Sequence, residues 1–516
     1  MAADVGNAGN VSLNVDIHCH MFNATDIPVN GFVHHVALHD GLMSGPLADL
    51  AARLVSGAPG YAADKARLSG ILGAGHGAGP GAGPVAGPGA PAGGQERAAA
   101  APADSAAAGA AVEDAFEDQV QQAVSQLSAE EVALIRNAAI QNEPPPAQPG
   151  QPAQPGQPER PAVAGAGPPE AISLDTPIRF VRWAKLFCQS RLDLATLYDK
   201  FFSGAVDLAI PMLVDLSSGL ADNAKTTLAQ QIELFDLLSR VSMRGLIPGA
   251  PQLRIHPFVG FDPIRALADG AAGTTVAQVK DAVLTKGFIG VKVYPEMGWS
   301  PYRNTPANAG TPERAQALDA LLDAFFGWCA DEQVPVTSHC NHSNFANPAA
   351  AAANFGAPDQ WLPVLDAHPA LRLNLGHFGG AHDAPADYTW TWDIANGMVG
   401  RDGLHADVGC QHADDAALMQ VHFDQLRKIA ASTPITDRLM FGTDWYLEAL
   451  NPNPNAFLTE YQSRYNAAFG ATETAKFMSG NSLDFLGFGA GHLTANGQRL
   501  QRRYQSLGVA PPSWLA

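Results

Sequence analysis

The sequence predicts an α/β fold, a (β/α)8 or TIM barrel carrying a long insertion, on three observations. Short β-rich runs alternate with longer stretches of helical periodicity, which is the pattern of parallel βα units. The runs number eight, the count that closes this barrel. Five of them finish in His or Asp, and in such a barrel the groups that carry chemistry sit at the C-terminal ends of the strands.

The first run, 11–18, belongs to NVDIHCHMF. Side chains alternate along a strand, so His18 and His20 share one face, the barrel interior, while Cys19 faces away. The second and third runs, 206–215 and 253–261, are apolar and lead to Asp215 and Asp262. The fourth, 288–293, lies in GFIGVKVYPEMGW and carries Lys292 near its end. The fifth, 334–339, ends as VPVTSHC at His339, and the sixth, 371–377, as LRLNLGHFGG at His377. The seventh, 404–408, holds Asp407, and the eighth, 439–444, reaches Asp444 in MFGTDWY. Between strands, Ala315, Leu318, Leu321, Leu322 and Phe325 recur at helical spacing.

Residues 73–172 break this rhythm. Their composition shifts to Ala, Gly, Pro and Gln, as in GAGPGAGPVAGPGAPAGG and QPAQPGQP. Such segments bury too little apolar surface to offset the entropy of ordering, so the insertion is expected to be partly disordered. Inside it, Val112, Phe116, Val120 and Val124 recur every fourth residue, and Ser128 with Glu131 forms a capping box ahead of Val132, Leu134 and Ile135. A short helical hairpin is expected, its apolar stripe docked on the barrel. A lid or partner-binding element is the alternative. The chain then divides into 1–72, the first strand and first loop of the catalytic barrel; 73–172, the insertion; 173–487, the rest of the barrel; and 488–516, a C-terminal tail.

Composition excludes several classes of function. A formal charge of −19 without a compensating Lys/Arg cluster repels phosphate backbones, which argues against nucleic acid. No run approaches the roughly 20 apolar residues of a membrane span. Residues 1–10 lack the basic start and apolar stretch of an export signal, so the cytoplasm is expected. The five cysteines, Cys19, Cys188, Cys329, Cys340 and Cys410, are scattered without CxxC spacing, which fits reduced thiols better than a disulfide framework or a cysteine zinc cage. A small-molecule substrate is the expected partner, with a homo-oligomer left open.

Two imidazoles at one barrel mouth suit zinc, manganese or iron, for each of which neutral nitrogen is a good ligand. An HxH pair alone is weak evidence. The set DIHCHMF, TSHC, LGHFGG and FGTDW is stronger, and it resembles the amidohydrolase superfamily, especially its amidohydrolase-related (amidohydrolase 2) branch of metal-dependent TIM-barrel hydrolases and decarboxylases. The resemblance covers nearly all the chain outside the insertion and the tail, and SGNSLDFLGF is similar to that branch's terminal helix region.

Carried over residue by residue, the resemblance implies that His18, His20, His339 and Asp444 hold a divalent metal, zinc first, with Mn2+ or Fe2+ as alternatives. It also implies that Asp444 is the base for metal-activated water and that His377 is an acid/base or substrate-orienting group. In two-metal relatives His377 would bind a second ion, bridged by a carboxylated Lys292. One ion is favoured here, because the other motifs resemble the usually mononuclear branch. An unmodified Lys292 ammonium would instead pair with a substrate carboxylate.

Around the mouth, Tyr294, Glu296, Trp299, Tyr302, Arg303, Trp445 and Tyr446 suit a flat or carboxylated organic substrate. Tyr294, Trp299, Arg303 and Trp445 are the substrate-binding candidates, against the plainer reading that the aromatics pack loops and Arg303 is a solvated surface residue. His34, His35, His39 and His342 read as ordinary loop histidines. Asp407 and Asp262 orient ligands or serve as salt-bridge and capping residues. Hydrolysis of a C–N or ester/lactone bond is the leading function. The alternatives are non-oxidative decarboxylation of a small aromatic or unsaturated acid, and a catalytically inactive metal-binding scaffold.

Overall fold

The computed structural model describes residues 13–31, 44–74, 102–141, 176–341, 354–380, 388–409, 416–450, 454–489 and 492–515. The Ala/Gly/Pro/Gln linkers, Cys410 and the loop histidines His34, His35, His39 and His342 lie outside these residues.

Among the described residues nine strands occur: β1 (Val15–Cys19), β2 (Leu208–Pro211), β3 (Arg254–Ile255), β4 (Phe258–Gly260), β5 (Gly290–Val293), β6 (Val336–Ser338), β7 (Leu373–Leu375), β8 (Leu404–Asp407) and β9 (Leu439–Met440). They pair in chain order, as β1-β2-β3 and as β4 to β9, and every pairing is parallel. β3 and β4 are two halves of one expected strand, parted at His256-Pro257, where proline offers no N–H to the ladder. Isolated parallel bridges span both seams, Met212 with Phe258 and Cys19 with Trp445. Ile17 N–H donates to the Phe441 carbonyl (3.1 Å) and Asp444 N–H to the His18 carbonyl (2.7 Å), tying the first strand to the last. The fold is the parallel α/β architecture of a TIM barrel, with its eight strands in the expected order.

The barrel interior is apolar at one end and polar at the other. Val15, Ile17, Leu208, Ile210, Met212, Phe258 and Met440 share a cluster with Phe485, Phe488, Leu500 and Tyr504. Leu500 and Tyr504 ride on the helix Ala495–Ser506, so the segment expected as a tail closes the barrel floor. Tyr504 Oη also lies 3.0 Å from buried His256 Nε2. Towards the C-terminal ends of the strands the wholly buried Lys292, Thr337, Asn374 and Asp407 replace the apolar layer.

Strict alternation in β1 would set His18 opposite Ile17. The register against β2 instead shifts between Asp16 and Cys19. Such an irregularity re-aims side chains, and Ile17 joins the inner cluster while Cys19 joins the outer one. His18 is thereby turned to the polar interior, where it meets Lys292 and Asp407.

The expected hairpin forms two helices, Pro102–Ser125 and Ala129–Gln141. Glu131 N–H donates to Ser128 Oγ (3.1 Å) and Ser128 N–H to the Glu131 carboxylate (2.8 Å), the reciprocal pattern of a capping box. Phe116, Val120, Ala123 and Ile135 are buried in the outer core with Trp183 and Phe187. Among the described residues no helix is long and apolar enough to cross a membrane.

Candidate metal centre

At the polar end of the barrel, one donor atom each from His18, His20 and Asp444 lies within 4.8 Å of the others, and all three residues are buried. Asp444 Oδ1 stands 3.1 Å from His20 Nε2 and 3.7 Å from His18 Nε2. Each imidazole is held from behind. His18 Nδ1 is 3.1 Å from both Asp407 oxygens, and His20 Nδ1 is 2.9 Å from the Met212 carbonyl. A carbonyl only accepts, so His20 keeps its proton on Nδ1 and presents a lone pair on Nε2. Glycines leave room for the His18 ring: a Cβ at Gly442 would come 2.9 Å from His18 Cβ, and one at Gly409 would come 3.0 Å from Asp407 Oδ1.

The carboxylates are kept ionised by their surroundings. Burial alone would raise Asp444, but the His20 hydrogen bond and the neighbouring His18 and His377 outweigh it and hold the carboxyl well below its usual range. Asp407 is treated likewise: His18 and the Asn374 amide, 2.7 Å away, overcome burial. His377 N–H (3.1 Å) and Gly409 N–H (2.9 Å) also donate to Asp407. Burial lowers His20, which favours the neutral ligand form.

Asp16 ties the two strands that carry the cluster. Its carboxylate accepts from Thr443 N–H (3.0 Å), Thr443 Oγ1 (2.6 Å), Tyr198 Oη (2.7 Å) and His18 N–H (3.2 Å). Asp444 follows Thr443 directly and sits at φ +53°, an unusual conformation for a residue with a side chain. This network fixes that turn against β1.

His339, expected as the fourth ligand, is not among the three clustered donors. Its Nδ1 lies 3.0 Å from His377 Nε2 and its Nε2 3.0 Å from Asn341 Oδ1. His377 Nδ1 donates to the Gly409 carbonyl (3.0 Å). Lys292 is wholly buried, with Nζ 3.1 Å from His18 Nε2 and 4.9 Å from the centre of the Tyr294 ring. Tyr294 in turn stacks on His339 at 5.5 Å.

The remaining candidates disperse. Trp299 is buried in the outer core, and Trp445 packs on Tyr198, Phe201 and Tyr446. Arg303 is exposed and lies over its neighbour Tyr302, the plainer of the two readings for that residue. Asp262 caps the helix Pro263–Ala268 through Ile264 N–H (2.8 Å). Sequence reasoning missed Asp16 as a positioning group, although it precedes His18 by two residues and is a charge inside an apolar strand. It also missed the Met212 carbonyl, which no residue type could reveal.

Two imidazole nitrogens and an ionised carboxylate, each oriented from behind, fit a borderline divalent cation. The family model described as Amidohydro_2, amidohydrolase, matches residues 259–488. Over this span the chain is similar to the amidohydrolase family. The span contains Lys292, His339, His377, Asp407 and Asp444, and β1 with His18, followed directly by His20, precedes it.

No curated protein matches the chain. Among solved structures, an uncharacterised TIM-barrel protein from Bordetella bronchiseptica is 16% identical, covering 57% of this chain and 82% of its own, with a TM-score of 0.37. An amidohydrolase from Burkholderia multivorans with bound zinc is 13% identical, covering 59% and 91%, also at 0.37. A 2,6-dihydroxybenzoate decarboxylase complexed with 2,6-dihydroxybenzoate is 16% identical, covering 56% and 86%, at 0.34.

Proposed function

We propose that this chain, which is similar to the amidohydrolase family over residues 259–488, is a metal-dependent hydrolase that splits a C–N or ester/lactone bond of a small organic substrate with water. The observation that carries the proposal is the buried convergence of His18, His20 and Asp444, with the two imidazoles braced by Asp407 and the Met212 carbonyl. A divalent ion held there, zinc first, would supply Lewis acidity and make water acidic enough to ionise near neutral pH. Asp444, kept as a carboxylate, accepts a proton. His377, lowered to about 4 by burial, is neutral at physiological pH and exchanges protons with His339 across their 3.0 Å contact. One ion is proposed rather than two, because an unmodified Lys292 ammonium 3.1 Å from His18 Nε2 opposes a second cation.

The same lysine favours a second reading, decarboxylation of a small aromatic or unsaturated acid. A buried amine beside the cluster pairs naturally with a carboxylate. Zinc-loaded protein tested against amides, esters, lactones and aromatic acids in water labelled with oxygen-18 separates the readings. Heavy oxygen in the carboxylic acid product supports hydrolysis, and carbon dioxide released with an organic product that gains no heavy oxygen supports decarboxylation. Absence of turnover across the whole panel contradicts both and leaves the scaffold reading.

A further inference from the structure

Glu296 follows β5 by three residues, in the turn Pro295–Met297, at the end of the barrel where the cluster lies. It is 1% exposed, and among the described residues neither carboxyl oxygen has a hydrogen-bond partner in another residue. Gly356 closes over it so tightly that a Cβ there would collide with Glu296 Oε1. The carboxyl acts electrostatically on Lys292 and Tyr294, the two residues that lead from this wall to His18 and His339. Folded proteins hydrogen-bond their buried polar groups, since an unpaired one is destabilising. A carboxyl left bare beside a reactive cluster is explained by a partner that arrives with the ligand.

We infer that Glu296 is a substrate-binding group, hydrogen-bonding a carboxylate of the substrate that Lys292 also faces. Burial pushes Glu296 up to about 8, so near neutral pH it holds a proton to donate to such an oxygen. This inference rests on the function proposed above and narrows it to substrates that carry a carboxylate. No other carboxyl among the described residues combines burial, two bare oxygens and this neighbourhood.

The test uses full-length, zinc-loaded protein, the variants Glu296→Gln and Glu296→Leu, and benzoate and 2-hydroxybenzoate beside their amides. Zinc content, unfolding temperature and ligand affinity are measured. Without ligand, both variants should keep their zinc and unfold at a higher temperature than the parent. The parent should bind the acids in preference to the amides, and both variants should bind the acids roughly tenfold more weakly, the loss expected for one hydrogen bond to a charged partner. Lower unfolding temperatures in both variants would show that Glu296 is paired within the protein and would overturn the inference. Equal acid binding by parent and variants, or no acid binding by the parent, would also overturn it. Because binding is read without turnover, a protein that captures acids through Glu296 and transforms none contradicts the proposed reaction alone.

Discussion

Lys292 Nζ lies 3.1 Å from His18 Nε2, the nitrogen that faces Asp444 across 3.7 Å. A cation and the amine therefore address the same lone pair. Burial lowers Lys292 to about 8, so it is still mostly an ammonium near neutral pH. Two unit charges about 4 Å apart repel by about 4 kcal/mol at an effective dielectric of 20. Lys292→Met should accordingly bind zinc at least roughly tenfold more tightly at neutral pH, with the number of ions per chain unchanged. Competition with a chromophoric chelator measures this. Loss of an ion on the same substitution would instead reveal a carboxylated lysine bridging two metals.

Asp16 spans the first and last strands through four donors, and its removal should be felt at the metal as well as in stability. Asp16→Asn turns two amide hydrogens towards groups that donate to the carboxylate, at about 1–3 kcal/mol. Zinc affinity should fall as well, because the turn carrying Asp444 is released. Leu500→Ala, which costs about 2–5 kcal/mol on the barrel floor at the opposite end from the cluster, should leave zinc affinity unchanged. Equal effects of the two substitutions on zinc would show that Asp16 acts through global stability alone.

Arg191 is wholly buried between Asp26 and Asp64, with its guanidinium 2.5 Å from the latter, and so joins the loop after β1 to the helices Tyr61–Ala74 and Arg191–Phe201. Removing one partner of a buried ion pair strands the others. Arg191→Met should destabilise the protein by about 3–5 kcal/mol, measured by denaturant unfolding.

His256 sets an acid limit on the barrel floor. Burial lowers it to about 3, where it is held by Tyr504 Oη (3.0 Å) and Ser239 Oγ (3.3 Å). Between its ordinary value of 6.5 and about 3 the unfolded chain binds a proton that the native state refuses, so stability from this residue falls as the pH drops through that window. The slope should approach about 1.4 kcal/mol per pH unit. His256→Gln should remove that component from the acid unfolding curve. An unchanged slope would show that other groups set it.

Much of the fold was legible because strands and helices differ in period and because the barrel gathers strand ends. His18, His20 and Asp444 were readable for that reason: His18 and Asp444 close β-rich runs, and His20 follows His18 by two residues. The shift in β1 that turns both Ile17 and His18 inward was not readable, since no residue type marks it. The contact between His339 and His377 was equally hidden, because it depends on ring rotation around partners such as the Gly409 carbonyl. Leu500, Tyr504 and Leu507 do carry helical spacing, so the floor helix left a signal that its place after the last barrel motif obscured. Glu296 reads as one more loop carboxyl until its burial is seen.

The most direct test is the zinc content of protein produced with ample zinc, determined by elemental analysis for the parent, His20→Ala and Asp444→Ala. The parent should hold one tightly bound ion per chain. Both variants should lose it while still unfolding cooperatively, and Asp444→Ala should have no turnover. A parent without zinc, or variants that keep it, would contradict a metal centre built on His18, His20 and Asp444.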